Sequence, residues 1–173
     1  AISFATAYEV GVFGDRSPQV PGVKQVKDAS RTSIKRSYRM PVLGTVPAGP
    51  LNLAAPDIRE DELHVDPGFF GSRGSEPDLF GLRVRGDSMI GVGIQDGDIV
   101  VVRPQPNPNN GDIVVARVEE DATVKRFRRL ENEIVLEPAN PAVEPIHVPD
   151  QGGVESGQNV AILGVVVGLI RSM

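Results

Sequence analysis

Asp98-Ile99-Val100-Val101-Val102-Arg103, Asp112-Ile113-Val114-Val115-Ala116-Arg117-Val118 and Ala122-Thr123-Val124-Lys125-Arg126-Phe127-Arg128 follow one another in close succession. Each run is rich in β-branched residues and too short for a typical helix. Asn107-Pro108-Asn109-Asn110-Gly111 separates the first two, and Glu119-Glu120-Asp121 the second pair, both of them turn chemistry. Working outward, Leu79–Arg85, Glu133–Glu137 and Val160–Ile170 have the same texture, and Gln95-Asp96-Gly97-Asp98 is a further turn. A helical turn is expected near Pro67–Gly71. Ile2, Phe4, Tyr8, Val10 and Val12 fall on even positions, a weak strand signal. With 19 glycines and 15 prolines in 173 residues, the pattern predicts an all-β fold of small, strongly bent sheets.

Composition limits what such a fold can do. There is no cysteine, which excludes a disulfide framework and thiolate metal sites. His64 and His147 lie far apart in sequence without companions, and Asp96-Gly97-Asp98 lacks the spacing and terminal Glu of a calcium loop. No cofactor or metal is therefore expected. The first residues carry no charged and apolar leader pattern, and the longest apolar runs fall short of the roughly 20 residues that a membrane helix needs. A cytoplasmic protein with no membrane partner is expected.

The net charge of −5 is unevenly spread. Residues 1–40 hold seven Lys/Arg and three acids, net +4, and the remainder is net −9. An acidic body is a poor nucleic-acid surface. Lys24 to Arg39, with six basic residues and one acid among serines and a threonine, reads either as a solvated linker or as a DNA-contacting arm.

Three short features carry chemistry. In Gly86-Asp87-Ser88-Met89, glycine permits a sharp turn that exposes the serine and aims backbone N–H groups, including that of Asp87, at one point, as an oxyanion hole requires. A serine in a turn also serves as a simple cap. Lys125 shares a strand face with Thr123 and Phe127 by period-2 alternation. Desolvation there would lower its pKa, with the Thr123 hydroxyl beside the neutral amine. The competing reading is a lysine snorkelling from a sheet edge. Val46-Pro47-Ala48-Gly49 offers small residues that let a backbone approach a nucleophile, with Val46 suited to a small apolar pocket; by itself it reads as a linker turn. Together the features make a Ser–Lys dyad and a peptide for it to cut.

These segments resemble the self-cleaving repressors and mutagenesis proteins of the bacterial DNA-damage response, the LexA and UmuD group. The resemblance runs from about Pro41 to Met173. It is carried by Val46–Gly49, Leu82–Met89, Gly93–Asp98, Asn110–Ala116, Ala122–Arg126 and Leu136-Glu137-Pro138-Ala139-Asn140-Pro141. It implies Ser88 as nucleophile, Lys125 as general base and scission between Ala48 and Gly49. It further implies a RecA–single-stranded-DNA filament as trigger and a homodimer formed through Leu163 to Met173. The implied organisation is a basic linker or remnant of a DNA-binding domain over 1–40, a cleavage-site region over 41–58 and a peptidase and dimerisation domain over 59–173.

LexA-type repressors carry a winged helix-turn-helix of roughly 70 residues before the linker, a usual size for a small domain, and residues 1–40 do not read as one. Operator DNA would then be bound by an N-terminal domain apparently absent from this chain. The most similar member is expected to be the C-terminal domain of a LexA repressor. The alternative is a UmuD-like accessory subunit of an error-prone DNA polymerase. Signal peptidases share the dyad chemistry but need a membrane anchor.

Overall fold

The structure, a computed structural model, describes residues 8–12, 37–44, 51–53, 59–70, 78–149 and 160–172. Among these residues ten strands form one sheet: β1 (Tyr8–Val12), β2 (Tyr38–Leu43), β3 (Arg59–Val65), β4 (Phe80–Arg83), β5 (Ile99–Arg103), β6 (Ile113–Val118), β7 (Asp121–Arg129), β8 (Glu133–Glu137), β9 (Ile146–Pro149) and β10 (Val160–Ser172). The order across it is β3-β2-β4-β5-β10-β6-β7-β8-β9, with β1 joined to β10. Helix among the described residues is limited to short 3₁₀ turns, including Pro67–Phe70 and Ile90–Val92. The all-β expectation holds. So do the six strands and the helical turn near Pro67, each within about two residues at its ends.

β10 is the spine. Its first half pairs antiparallel with β6 and its second half with β5, and register shifts at Ile162/Gly164 and Val166/Gly168 mark where it bends. Such shifts kink a strand and increase its twist. At the first bend the backbones crowd, because a Cβ on Gly164 would sit 2.4 Å from the Arg103 carbonyl oxygen and 2.7 Å from Val102 Cγ1. Only glycine fits there.

The bend divides the interior into three buried clusters. Met40, Val42, Leu79 and Val101 pack under β2, β4 and β5. Val114, Ala116, Phe127 and Leu136 pack under β6, β7 and β8. Between these lies a cluster that joins Phe80, Val84, Met89 and Val102 to Val115, Val124 and Leu169. Met89 and Val124, immediate neighbours of Ser88 and Lys125, thus share one core although they arise from opposite halves of the sheet.

Over residues 168–170 the C-terminal strand has a paired strand on each side. β5 pairs with one side of β10, and β1 runs antiparallel along the other, from Tyr8 opposite Ser172 to Val12 opposite Gly168. Val166 is buried in the central cluster.

The crowding at Gly164 sets a measurable cost. Gly164→Val should destabilise the chain by about 3 kcal/mol or more, the upper range for overpacking a tight site, measured by denaturant unfolding. A loss within about 0.5 kcal/mol, typical of an unconstrained surface position, would mean that the β5–β10 crossing tolerates a side chain.

Candidate active site

The turn that carries Ser88 follows β4. Gly86, with φ of +84°, reverses the chain in a conformation that other residues rarely adopt, and its N–H donates to Asp96 Oδ1 at 2.7 Å. The Val84 N–H donates to the Asp98 carbonyl (2.7 Å) and the Gly97 N–H to the Val84 carbonyl (2.9 Å). These bonds close the loop at its base. Met89 is buried and anchors the turn to the core, which leaves Ser88 half-buried and Asp87 exposed.

Lys125 arrives from β7, opposite Val114 of β6. Although a lysine, it is only 5% exposed. Its Nζ lies 3.0 Å from Ser88 Oγ, 2.6 Å from Thr123 Oγ1 and 3.1 Å from the Val124 carbonyl oxygen. Desolvation by burial pushes its pKa below the ordinary 10.5. Nζ donates to the Thr123 hydroxyl, the Val124 carbonyl and the Ser88 hydroxyl oxygen, so each of its three contacts is with an acceptor.

Of the residues singled out in the sequence, Ser88, Lys125 and Thr123 converge, with the Asp87 backbone beside them. Val46, Ala48 and Gly49 lie outside the described residues. The segment just after them is tied to the same region, since Leu51 and Leu53 pack against the cluster that holds Met89 and Val124. The Leu53 carbonyl accepts from Arg59 Nε (3.1 Å) and Nη2 (2.6 Å).

Residues 41–167 match the family described as Peptidase S24-like. The chain belongs to this family. It is 42% identical over 158 residues to a LexA repressor of Caldicellulosiruptor saccharolyticus, covering 91% of this chain and 71% of that one. It is 44% identical over 152 residues to a LexA repressor of Geotalea uraniireducens (88% and 68%). With a LexA repressor of Syntrophotalea carbinolica, identity is 46% over 143 residues (82% and 64%). This S24-like chain is therefore LexA-like, within a family of self-cleaving serine peptidases, and the polymerase-subunit alternative is not favoured. Among its described residues no helix is long and apolar enough to cross a membrane.

Two supports of the S24-like site were not assigned roles from sequence. Arg171, at the end of β10, donates from Nε to Asp98 Oδ1 and from Nη2 to Asp98 Oδ2, both at 2.7 Å, and from Nη2 to the Gly93 carbonyl at 2.8 Å. Asp98 is buried, and its Oδ2 also accepts from the Gln95 N–H. This paired, hydrogen-bonded charge clamps the far end of the Ser88 loop to the sheet. The signal in sequence was a single arginine closing an apolar run. The second support is Asn140, which stands between two prolines in the Pro138–Pro141 segment. Its side chain reaches the Asp87 carbonyl.

The depressed Lys125 pKa has a signed consequence for stability. Below the folded-state pKa both states hold the proton, so the cost of burying the ammonium is present in full. Between that pKa and the unfolded value the unfolded chain binds more protons, and stability rises with pH. Lys125→Met removes the titrating group. Its stability relative to the parent chain should be greatest near pH 7 and decline towards pH 10, measured by thermal unfolding across that range. A difference independent of pH would contradict a desolvated lysine.

Proposed function

We propose that this chain is the self-cleaving part of a LexA-like repressor of the bacterial DNA-damage response, with Ser88 as nucleophile, Lys125 as general base and the Ala48–Gly49 peptide as substrate. The observation that carries this reading is the 3.0 Å contact between Ser88 Oγ and a buried Lys125 amine. That is hydrogen-bond reach for proton transfer to a base whose neutral form is favoured by its surroundings.

In the first step Ser88 Oγ attacks the Ala48 carbonyl carbon while its proton passes to Lys125 Nζ. The carbonyl oxygen becomes an oxyanion, for which the Asp87 and Ser88 backbone N–H groups are the donors in this reading. Collapse breaks the bond to the Gly49 nitrogen, which takes the proton from Lys125, and leaves an ester between Ala48 and Ser88. Water then attacks the ester while Lys125 accepts its proton; as the ester bond breaks, Lys125 returns that proton to Ser88 Oγ, and the Ala48 acid product loses its own proton to solvent as a carboxylate. Thr123 holds the amine in line. Val46 supplies an apolar side chain for binding on the acyl side.

The remaining assignments follow the LexA resemblance. The trigger is a RecA–single-stranded-DNA filament, and operator DNA is contacted through a separate N-terminal domain, since the body from residue 41 onward is net −9. A homodimer that pairs two C-terminal strands requires β1 to leave residues 168–172 of β10, the stretch it occupies in this structure.

Self-cleavage should accelerate from pH 7 towards pH 10 without any partner, by about tenfold per unit while Lys125 remains mostly protonated. The products are residues 1–48 and 49–173, and the rate should be independent of protein concentration if attack is intramolecular. Ser88→Ala should abolish scission in a folded chain, as read by intact mass. Lys125→Arg should abolish the alkaline activation, because guanidinium keeps its proton throughout this range. Continued cleavage by Ser88→Ala would end the assignment of the nucleophile; a rate flat in pH would end that of the base.

A further inference from the structure

The Ser88 turn is held along one side by the segment after β8. The Ala139 N–H donates to the Ser88 carbonyl at 2.8 Å, and the Gly91 N–H donates to the Ala139 carbonyl at 2.7 Å. Asn140, only 8% exposed, donates from Nδ2 to the Asp87 carbonyl at 3.1 Å and accepts at Oδ1 from the Ala142 N–H at 3.0 Å. The identities of these partners fix which way its amide points, since a carbonyl only accepts and a backbone N–H only donates. The Asp87 carbonyl also accepts from the Ile90 N–H at 3.2 Å, a bond within the loop itself. Asn140 is thus the link that ties this carbonyl to the segment between β8 and β9.

A trans peptide unit is planar, with its C=O and N–H pointing in opposite directions. Fixing the Asp87 carbonyl towards Asn140 therefore aims the Ser88 N–H away from it. Among the described residues neither the Asp87 nor the Ser88 N–H donates a hydrogen bond. We infer that Asn140 is a positioning residue for the oxyanion site: by holding the Asp87 carbonyl it orients the Ser88 N–H for the negative charge that forms during acyl transfer. The inference rests on the reading of Ser88 and Lys125 given above. It adds a residue that touches neither of their reacting atoms.

The device has a distinct kinetic signature. Losing an oxyanion donor outright costs about 10²–10³ in rate. Here the donor is misaimed and the Ile90 bond survives, so a loss of about tenfold is expected. Lys125 makes no bond to Asn140, so its titration should stay where it is. The test is self-cleavage of the full chain between pH 7 and 10 for Asn140→Leu, which keeps the branched shape, and for Asn140→Ala, which leaves room where the amide was. At least one must be shown to be folded by thermal unfolding. The expected result is a vertical drop of about tenfold at every pH with an unchanged pH dependence. A rate within about twofold of the parent, or a profile displaced along the pH axis with its upper rate intact, would overturn the inference. A variant that merely lowers the unfolding temperature and cleaves normally below it would do the same. Ser88→Ala, run alongside, separates the two levels: if it still cleaves, the underlying nucleophile assignment has failed, and if it is inert while Asn140→Leu cleaves normally, only the role of Asn140 has.

Discussion

A lysine amine held away from water with its hydrogen-bonding capacity matched to acceptors on one strand is the constraint around which this structure is arranged. An isolated ammonium in an apolar interior is costly, and the group lowers the cost by giving up its proton. Nζ donates to Thr123 Oγ1, to the Val124 carbonyl and to Ser88 Oγ, so the serine completes its set of partners. In the proposed mechanism the same burial that weakens the fold near neutral pH makes the lysine a usable base. In that mechanism stability and reactivity both rise as this one proton is lost, so the two are coupled with the same sign.

That arrangement depends on the bend in β10. Ser88 follows β4 and Lys125 lies on β7, elements separated in the sheet by β5, β10 and β6. On a flat sheet, with strands about 4.8 Å apart, four spacings would place them far beyond contact. The register shifts in β10 and the absence of a side chain at Gly164 allow the sheet to fold over a shared cluster, where Met89 and Val124 meet. Arg171 then ties the end of β10 to the far end of the serine loop. The spine that brings the halves together also fixes the loop.

Most of this was legible because the buried strands announce themselves. β5, β6, β8 and β10 are nearly continuous apolar runs bounded by turn residues. β7 has its lysine at a position where alternation singles it out. The strands that were missed lack that signature for physical reasons. β3 reads Arg-Glu-Asp-Glu-Leu-His-Val and is largely exposed at the sheet edge, so no apolar face marks it. β2 carries Pro41 at its centre and follows a basic stretch, which made it look like the end of a linker. β9 has only four residues, ending in a proline. The contact between Ser88 and Lys125 could be anticipated because the two residue types suggest the pairing by themselves. Asn140 and Arg171 could not, because their roles depend on which carbonyl or carboxylate the fold places opposite them.

The preassembled site also bears on how such a protein is kept quiet. Ser88 and Lys125 are already within hydrogen-bonding distance, and the turn between them is held by Asn140, Ala139 and the Asp98–Arg171 pair. In the proposed mechanism, no rearrangement of these groups is needed to begin the reaction. Control must then act through the protonation of the amine or through delivery of the peptide to Ser88. The first responds to pH and to anything that removes more water from Lys125. The second responds to a partner that favours the docked form of the substrate segment, and such a partner can change the rate only by as much as it binds that form more tightly than the undocked one. An activator of this kind need not contact the serine or the lysine, and its effect should persist at alkaline pH, where the protonation barrier has gone.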